Sequence, residues 1–370
     1  MTIRRISIAE LVFGEPLRWD IFSTPSAVRP LLCKGQVLQP GQLDGWLDAA
    51  LYAESAAPVS VLHGLNQINR RLERVLLALR EQTSADKDLR AIAQELIATV
   101  ERDADIALAA IFLNQIVGAY AVRHCTEVAI VACLIARAMD KSPAEVLIVT
   151  AAALTMNVGM VHDIEQFERK DCALTPDERA AVRRHPWASV EMLRFAGVDD
   201  EAWLDLVMLH HENADGSGYP EGRLGDEITQ NAKLIGLADR YCAFVSARNY
   251  RRSLLPPVAL ARLHAESAMP FDQLVIGHFE QQLGAFPPGT LVRLRTGDVA
   301  VVKSRCTSAP VDCGHMAHRQ VYVLRSPHQT PVATVLSTRA PSHAITEALH
   351  EDDAGASFSM RQVWGELASI

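Results

Sequence analysis

From residue 61 to about residue 285, apolar side chains recur at three- and four-residue spacing, with short polar breaks. INRRLERVLLALREQ (68–82) and KDLRAIAQELIATVERDADIALAAIFL (87–113) each carry one apolar stripe, the signature of helices packed on one face. Asp86 stands at the break between them, where a carboxylate would cap the second helix. Leu174-Thr175-Pro176-Asp177-Glu178 predicts a helix start, with Thr175 as cap, Pro176 at the first turn and Glu178 closing a capping box. After residue 285 the period changes. FPPGTLVRLRTGDVAVVKSR (286–305) alternates apolar and polar residues around a Thr-Gly-Asp turn and predicts a hairpin. QVYVLRS and PVATVLST predict two further strands.

The chain is therefore expected to be mainly α, with five stretches. Residues 1–60 mix strand-like PLLCKGQVL with helix-like QLDGWLDAALYAE, a small α/β N-terminal region. A helical connector (61–115), a helical domain (116–285), a small β-module (286–340) and a polar tail (341–370) follow. The helices at 66–112 offer a face for a homodimer as well as for the domain's own core.

Composition narrows the class. Hydrophobic residues at 49% and charged residues at 22% describe a chain with a substantial core. A net charge of −8 opposes binding to a nucleic-acid polymer, which demands clustered cations. Seven cysteines, an odd number with no CxxC pair, fit a reducing compartment and a cytoplasmic protein. The stretch MTIRRISIAELVFG lacks the apolar run of a signal peptide. VLIVTAAALTMNVGMV (146–161) is short for a membrane span and predicts a buried helix. Cys306, Cys313, His315 and His318 fit no closed zinc spacing and read as loop residues.

Candidate chemistry lies in HHENADGSGYPEG (210–222), where two histidines end a hydrophobic helix and a glycine-rich turn follows. Imidazoles ligate first-row metals, and glycine lets backbone come close to an ion or phosphate. The whole string resembles the signature of the HD-GYP family, helical bacterial phosphodiesterases of the second messenger cyclic di-GMP. LTPDERAAVRRHP (174–186), LIGLADRYCAFVSARNYR (234–251) and RHCTEVAIVACLIARAM (123–139) resemble further family segments, so the likeness covers roughly 116–255.

The resemblance implies an all-helical HD-type domain and assigns His124, His185, His210, His211 and Asp239 as metal ligands. It also implies a substrate-binding Arg-x-Tyr-Arg segment, Arg248, Tyr250 and Arg251, to which Lys233 adds a cation. The family's central His-Asp is expected 18 residues before Leu174, which is Met156-Asn157. Met160 stands where the family has lysine. His162-Asp163, six residues later, would lie about 9 Å along and roughly 120° around a continuing helix, off the ligand face. Tyr120 replaces the carboxylate that some members use for a third metal.

Asn157 has the shape of the bridging aspartate without its charge, and a thioether suits Cu(I) better than iron or manganese. A two-metal centre is therefore not expected; one divalent ion, iron or manganese, is. The reading that follows is a member of cyclic di-GMP signalling that binds the nucleotide or a protein signalling partner, with hydrolysis impaired or absent. Two alternatives remain: an active metal-dependent phosphodiesterase yielding the linear dinucleotide or GMP, and a scaffold that binds neither metal nor nucleotide.

Overall fold

The computed structural model describes the chain apart from residues 1, 7–10, 12–15, 18, 25, 26, 28, 39–50, 56–58, 168–172, 247–251, 268, 306–317 and 329. The chain divides into two compact units, Met1–Val59 and Ser60–Ile370. In the first, strands β1 (Thr2–Ile6), β2 (Ile21–Phe22) and β3 (Leu51–Ser55) form an antiparallel sheet in the order β1-β3-β2. Residues 51–54, expected at the end of a helix, are thus strand. Apolar Leu51 and Ala53 alternate into a small core, and the pairing Ile6↔Leu51 fixes them there against a helical spacing. The first part of that expected helix lies outside the described residues.

The second unit is mainly helical: α1 (Val61–Ala78), α2 (Asp86–Arg102), α3 (Ala104–Phe112), α4 (Tyr120–Ala138), α5 (Pro143–Thr155), α6 (Ile164–Phe167), α7 (Pro176–Phe195), α8 (Glu201–Leu209), α9 (Gln230–Val245), α10 (Pro256–Glu266) and α11 (Pro270–Gln282). The predicted 87–113 helix breaks at Asp103, whose carboxylate accepts the N–H groups of Asp105 and Ile106 and starts α3. Asp86 is not a cap. Ala85 holds that position, and Asp86 is the first helical residue, paired with Arg90 at 2.9 Å. Thr175 does cap α7 within a complete capping box.

One core gathers the inner faces of α1 to α11 and the chain's C-terminal turn. Trp203 on α8 is fully buried, donates Nε1–H to Thr155 Oγ1 at 2.9 Å, and lies under the Arg90 guanidinium. Pro143–Met160 is, by length and hydropathy alone, apolar enough to cross a membrane. Most of it is buried by the protein itself, as the core helix α5 and the turn after it.

The C-terminal module is a five-stranded antiparallel sheet in the order β7-β6-β5-β4-β8: β4 (Leu291–Leu294), β5 (Val299–Val302), β6 (Gln320–Arg325), β7 (Pro331–Ser337) and β8 (Ile345–Leu349). The β4–β5 hairpin turns at Gly297, whose φ of +87° suits glycine. Residues 345–349, read as polar tail, add the edge strand β8 beside β4. Its faces are mostly wet, so no apolar alternation marked it. Helices α12 (Glu351–Ala354) and α13 (Met360–Trp364) follow, and Ser60 at the start of α1 donates to the Leu367 carbonyl at 3.1 Å.

Candidate metal centre

Four helices supply the candidate ligands. His124 rides on α4, His185 on α7, Asp239 on α9, and His210-His211 follow α8. His185, His210 and His211 offer ring nitrogens that all lie within 4.8 Å of one another. His185 Nε2 and His210 Nε2 face each other at 3.2 Å.

Local backbone chemistry sets the tautomers. Pro186, inside α7, has no N–H, so the Val182 carbonyl four residues back loses its helical donor. His185 Nδ1–H takes that place at 2.6 Å. The Val207 carbonyl lies in the last turn of α8, where helical donors run out, and accepts His210 Nδ1–H at 2.7 Å. A carbonyl only accepts, so each Nδ1 carries a proton. Burial and the neighbouring His210 push the His185 pKa down to about 3. Burial likewise lowers those of His210 and His211. Neutral rings protonated at Nδ1 leave Nε2 bare. Two bare nitrogens facing at 3.2 Å suit a cation between them, so the three histidines fit a divalent ion.

Metal-free protein should show this directly. The unfolded histidines take up protons below about pH 6.5 while His185 resists to about pH 3. Protons therefore favour the unfolded chain across that window, and stability falls as pH drops through it. The slope is about 1.4 kcal/mol per pH unit for each fully linked histidine. Urea denaturation of chelator-treated protein between pH 7 and 4 measures it; a flat midpoint would contradict buried neutral rings.

The other half of the site is closed. His124 Nε2–H donates to Asp239 Oδ1 at 2.8 Å, and both groups are buried. Burial alone would raise the Asp239 pKa. The hydrogen bond from His124, with the surrounding imidazoles, outweighs it and holds the carboxyl well below the usual range. His211 Nδ1 stands 3.9 Å from Asp239 Oδ2 and links the two halves. Tyr120 stacks on the His124 ring at 5.5 Å, and Tyr219 on the His211 ring at 4.6 Å, with Arg183 over Tyr219.

Met156 is fully buried and packs in the helical core. Asn157 is buried beside Cys125. Met160 is partly buried against the core. His162 and Asp163 are exposed in the turn before α6, outside the cluster. Lys233 lies with its ammonium 5.7 Å over the Phe271 ring of α11. Arg248, Tyr250 and Arg251 lie outside the described residues, as do Cys306, Cys313 and His315; His318 is exposed.

Two supporting groups were not legible as such in the sequence. Glu127, one turn beyond Arg123, is buried, pairs with that arginine at 3.4 Å and accepts from Ser246 Oγ, tying α4 to the end of α9. Its i,i+4 spacing from Arg123 was the available signal. Glu212 accepts the N–H groups of Glu221, Gly222 and Arg223 and clamps the glycine-rich loop.

The HD domain family model matches residues 92–275, the segment that carries all of these ligand candidates. The chain is 34% identical over 150 residues to the cyclic di-GMP phosphodiesterase PA4108 of Pseudomonas aeruginosa, covering 39% of this chain and 36% of that protein. It is 35% identical over 147 residues to the cyclic di-GMP phosphodiesterase response regulator RpfG of Xanthomonas campestris, covering 38% of each. The chain belongs to the HD-GYP family. Among solved structures, Bd1817, an HD-GYP-type protein of Bdellovibrio bacteriovorus, aligns over 75% of this chain and 97% of its own, at 13% identity and a TM-score of 0.49. The chain matches well under half the length of the two curated relatives.

Proposed function

We propose that this HD-GYP protein serves cyclic di-GMP signalling as a nucleotide- or partner-binding module. In this reading it holds one divalent ion, iron or manganese, and hydrolyses weakly or not at all. One observation carries the proposal: three imidazoles, two of them bare at Nε2, converge on one side, while the expected bridging position is a neutral Asn157 beside a core-packed Met156. A bridging aspartate supplies two anionic oxygens between two cations; an amide supplies one neutral oxygen. His124 and Asp239, which would serve a second ion, are bonded to each other instead.

In this reading His185, His210 and His211 hold the ion, and the bound ion would polarise a phosphate oxygen or a water. Arg248 and Arg251 bind the phosphodiester, and Lys233 adds a cation. Unpaired Cys33, Cys125, Cys133 and Cys242 support a reducing location, the cytoplasm. The three-histidine arrangement also favours one competing reading, a single-ion phosphodiesterase.

The deciding experiment measures metal per chain in protein purified without chelators, then titrates cyclic di-GMP and assays turnover with iron or manganese. One ion or fewer, saturable nucleotide binding weakened by R248A, and little turnover are expected. Two ions per chain would overturn the single-site reading. Brisk turnover with one ion would favour the enzyme, and neither nucleotide nor metal binding would leave a scaffold.

A further inference from the structure

We infer that Arg183 on α7 is a phosphate-binding residue at the rim of the histidine cluster, its guanidinium fork held open to a phosphodiester by the ring of Tyr219. The inference rests on the nucleotide-binding reading above and adds a cation from α7 to those expected on and beyond α9. Tyr219 is built into the site. Its ring stacks on the His211 ring with centroids 4.6 Å apart and meets His185 edge-on at 6.3 Å. Its N–H donates to the His211 carbonyl at 3.1 Å, and the carboxylate of Glu212 holds the main chain of Glu221, Gly222 and Arg223 just beyond it. The phenol ring is therefore a fixed platform beside two of the three clustered histidines.

Arg183 lies with its guanidinium carbon 5.1 Å from the centre of that ring. It is exposed, two residues before His185, and among the described residues it makes no ion pair or hydrogen bond. Other arginines of α7 are engaged: Arg179 donates to the Leu174 carbonyl, and Arg194 pairs with Glu201. Stacking uses only the flat face of a guanidinium and leaves the N–H groups in its plane pointing outward. The ring also restricts a long side chain in advance, so less freedom is lost when an anion binds. Two non-bridging phosphate oxygens match such a fork. In a chain of net charge −8, an anionic ligand depends on local cations of this kind. An exposed cation–π contact contributes little to stability by itself, so removing Arg183 separates a ligand-binding role from a structural one.

The test measures cyclic di-GMP binding to the metal-loaded full chain by calorimetric titration, and cobalt(II) binding to the metal-free chain through its visible ligand-field band. R183A is expected to weaken cyclic di-GMP binding at least about tenfold, the scale of a lost charge-assisted hydrogen bond, with cobalt affinity and band as in wild type. R183K keeps the charge without the fork and should fall between the two. R184A removes the same charge from the neighbouring exposed residue, which has no contact with Tyr219 among the described residues, and should bind as wild type does. If R183A keeps the wild-type nucleotide affinity, or R184A loses as much, the inference is overturned while the nucleotide-binding reading stands. An equal loss of cobalt affinity in R183A would also overturn it, since Arg183 would then serve the histidine cluster and not the phosphate. If wild type shows no saturable cyclic di-GMP binding, both fall.

Discussion

Replacing Met156 with His and Asn157 with Asp together should raise bound metal from about one ion per chain to about two, and cyclic di-GMP hydrolysis by at least about a hundredfold, on the scale of an activated metal-bound nucleophile gained or lost. Two dications about 3.5–4 Å apart repel by on the order of 15–20 kcal/mol even at an effective dielectric of 20, so they need anionic oxygens between them. M156H/N157D supplies a bridging carboxylate and one more imidazole. His124 and Asp239 must then exchange their mutual hydrogen bond, 2.8 Å in length, for a shared ion. A cost is expected as well. Met156 is fully buried in the core, and an imidazole there without metal leaves a polar group poorly paired, about 1–3 kcal/mol. The double variant should therefore melt below wild type when metal-free and recover when loaded. A folded double variant that still holds one ion would show that Met156-Asn157 is not what limits the site.

Much of this site was legible because its chemistry is written in local strings. His185-Pro186 is one such string: the proline frees the carbonyl that orients the histidine, and both residues are adjacent in the chain. The Thr175 capping box is another, since every partner lies within three residues. Elements decided by distant pairing were not legible. Residues 51–54 carry helical spacing, yet β1 captures them as strand. β8 shows too little alternation to announce itself and forms because β4 offers an open edge. Asp86 and Ala85 differ by one residue in register, which composition does not resolve and packing does. Glu127 was hidden for a different reason: a carboxylate on a mostly buried helix gains meaning only once Ser246 arrives from another part of the chain.

Two glycines test how tightly the backbone sets the histidines. A methyl group on Gly159 would stand 2.7 Å from the His185 carbonyl oxygen and 2.7 Å from the Ser189 nitrogen; one on Gly236 would stand 2.5 Å from the His210 carbonyl oxygen. These are main-chain atoms, so no side chain can swing aside. α7 must move from the turn after α5, or α9 from the His210 turn. G159A and G236A should each cost about 1–3 kcal/mol or more, the range for overpacking a filled core. They should also weaken metal binding at least about tenfold, because a shift of even a fraction of an ångström parts Nε2 atoms that now face each other at 3.2 Å. Gly277 in α11 is the control. Nothing lies within 4 Å of a methyl placed there, so G277A should leave metal affinity unchanged and hold or raise stability by about 0.5–1 kcal/mol through helix propensity. Urea denaturation and cobalt titration of the three variants separate the two effects. If G159A and G236A lose stability but bind cobalt as wild type does, the histidine geometry is set by the side chains' own hydrogen bonds to Val182 and Val207, not by the close approach of these backbones.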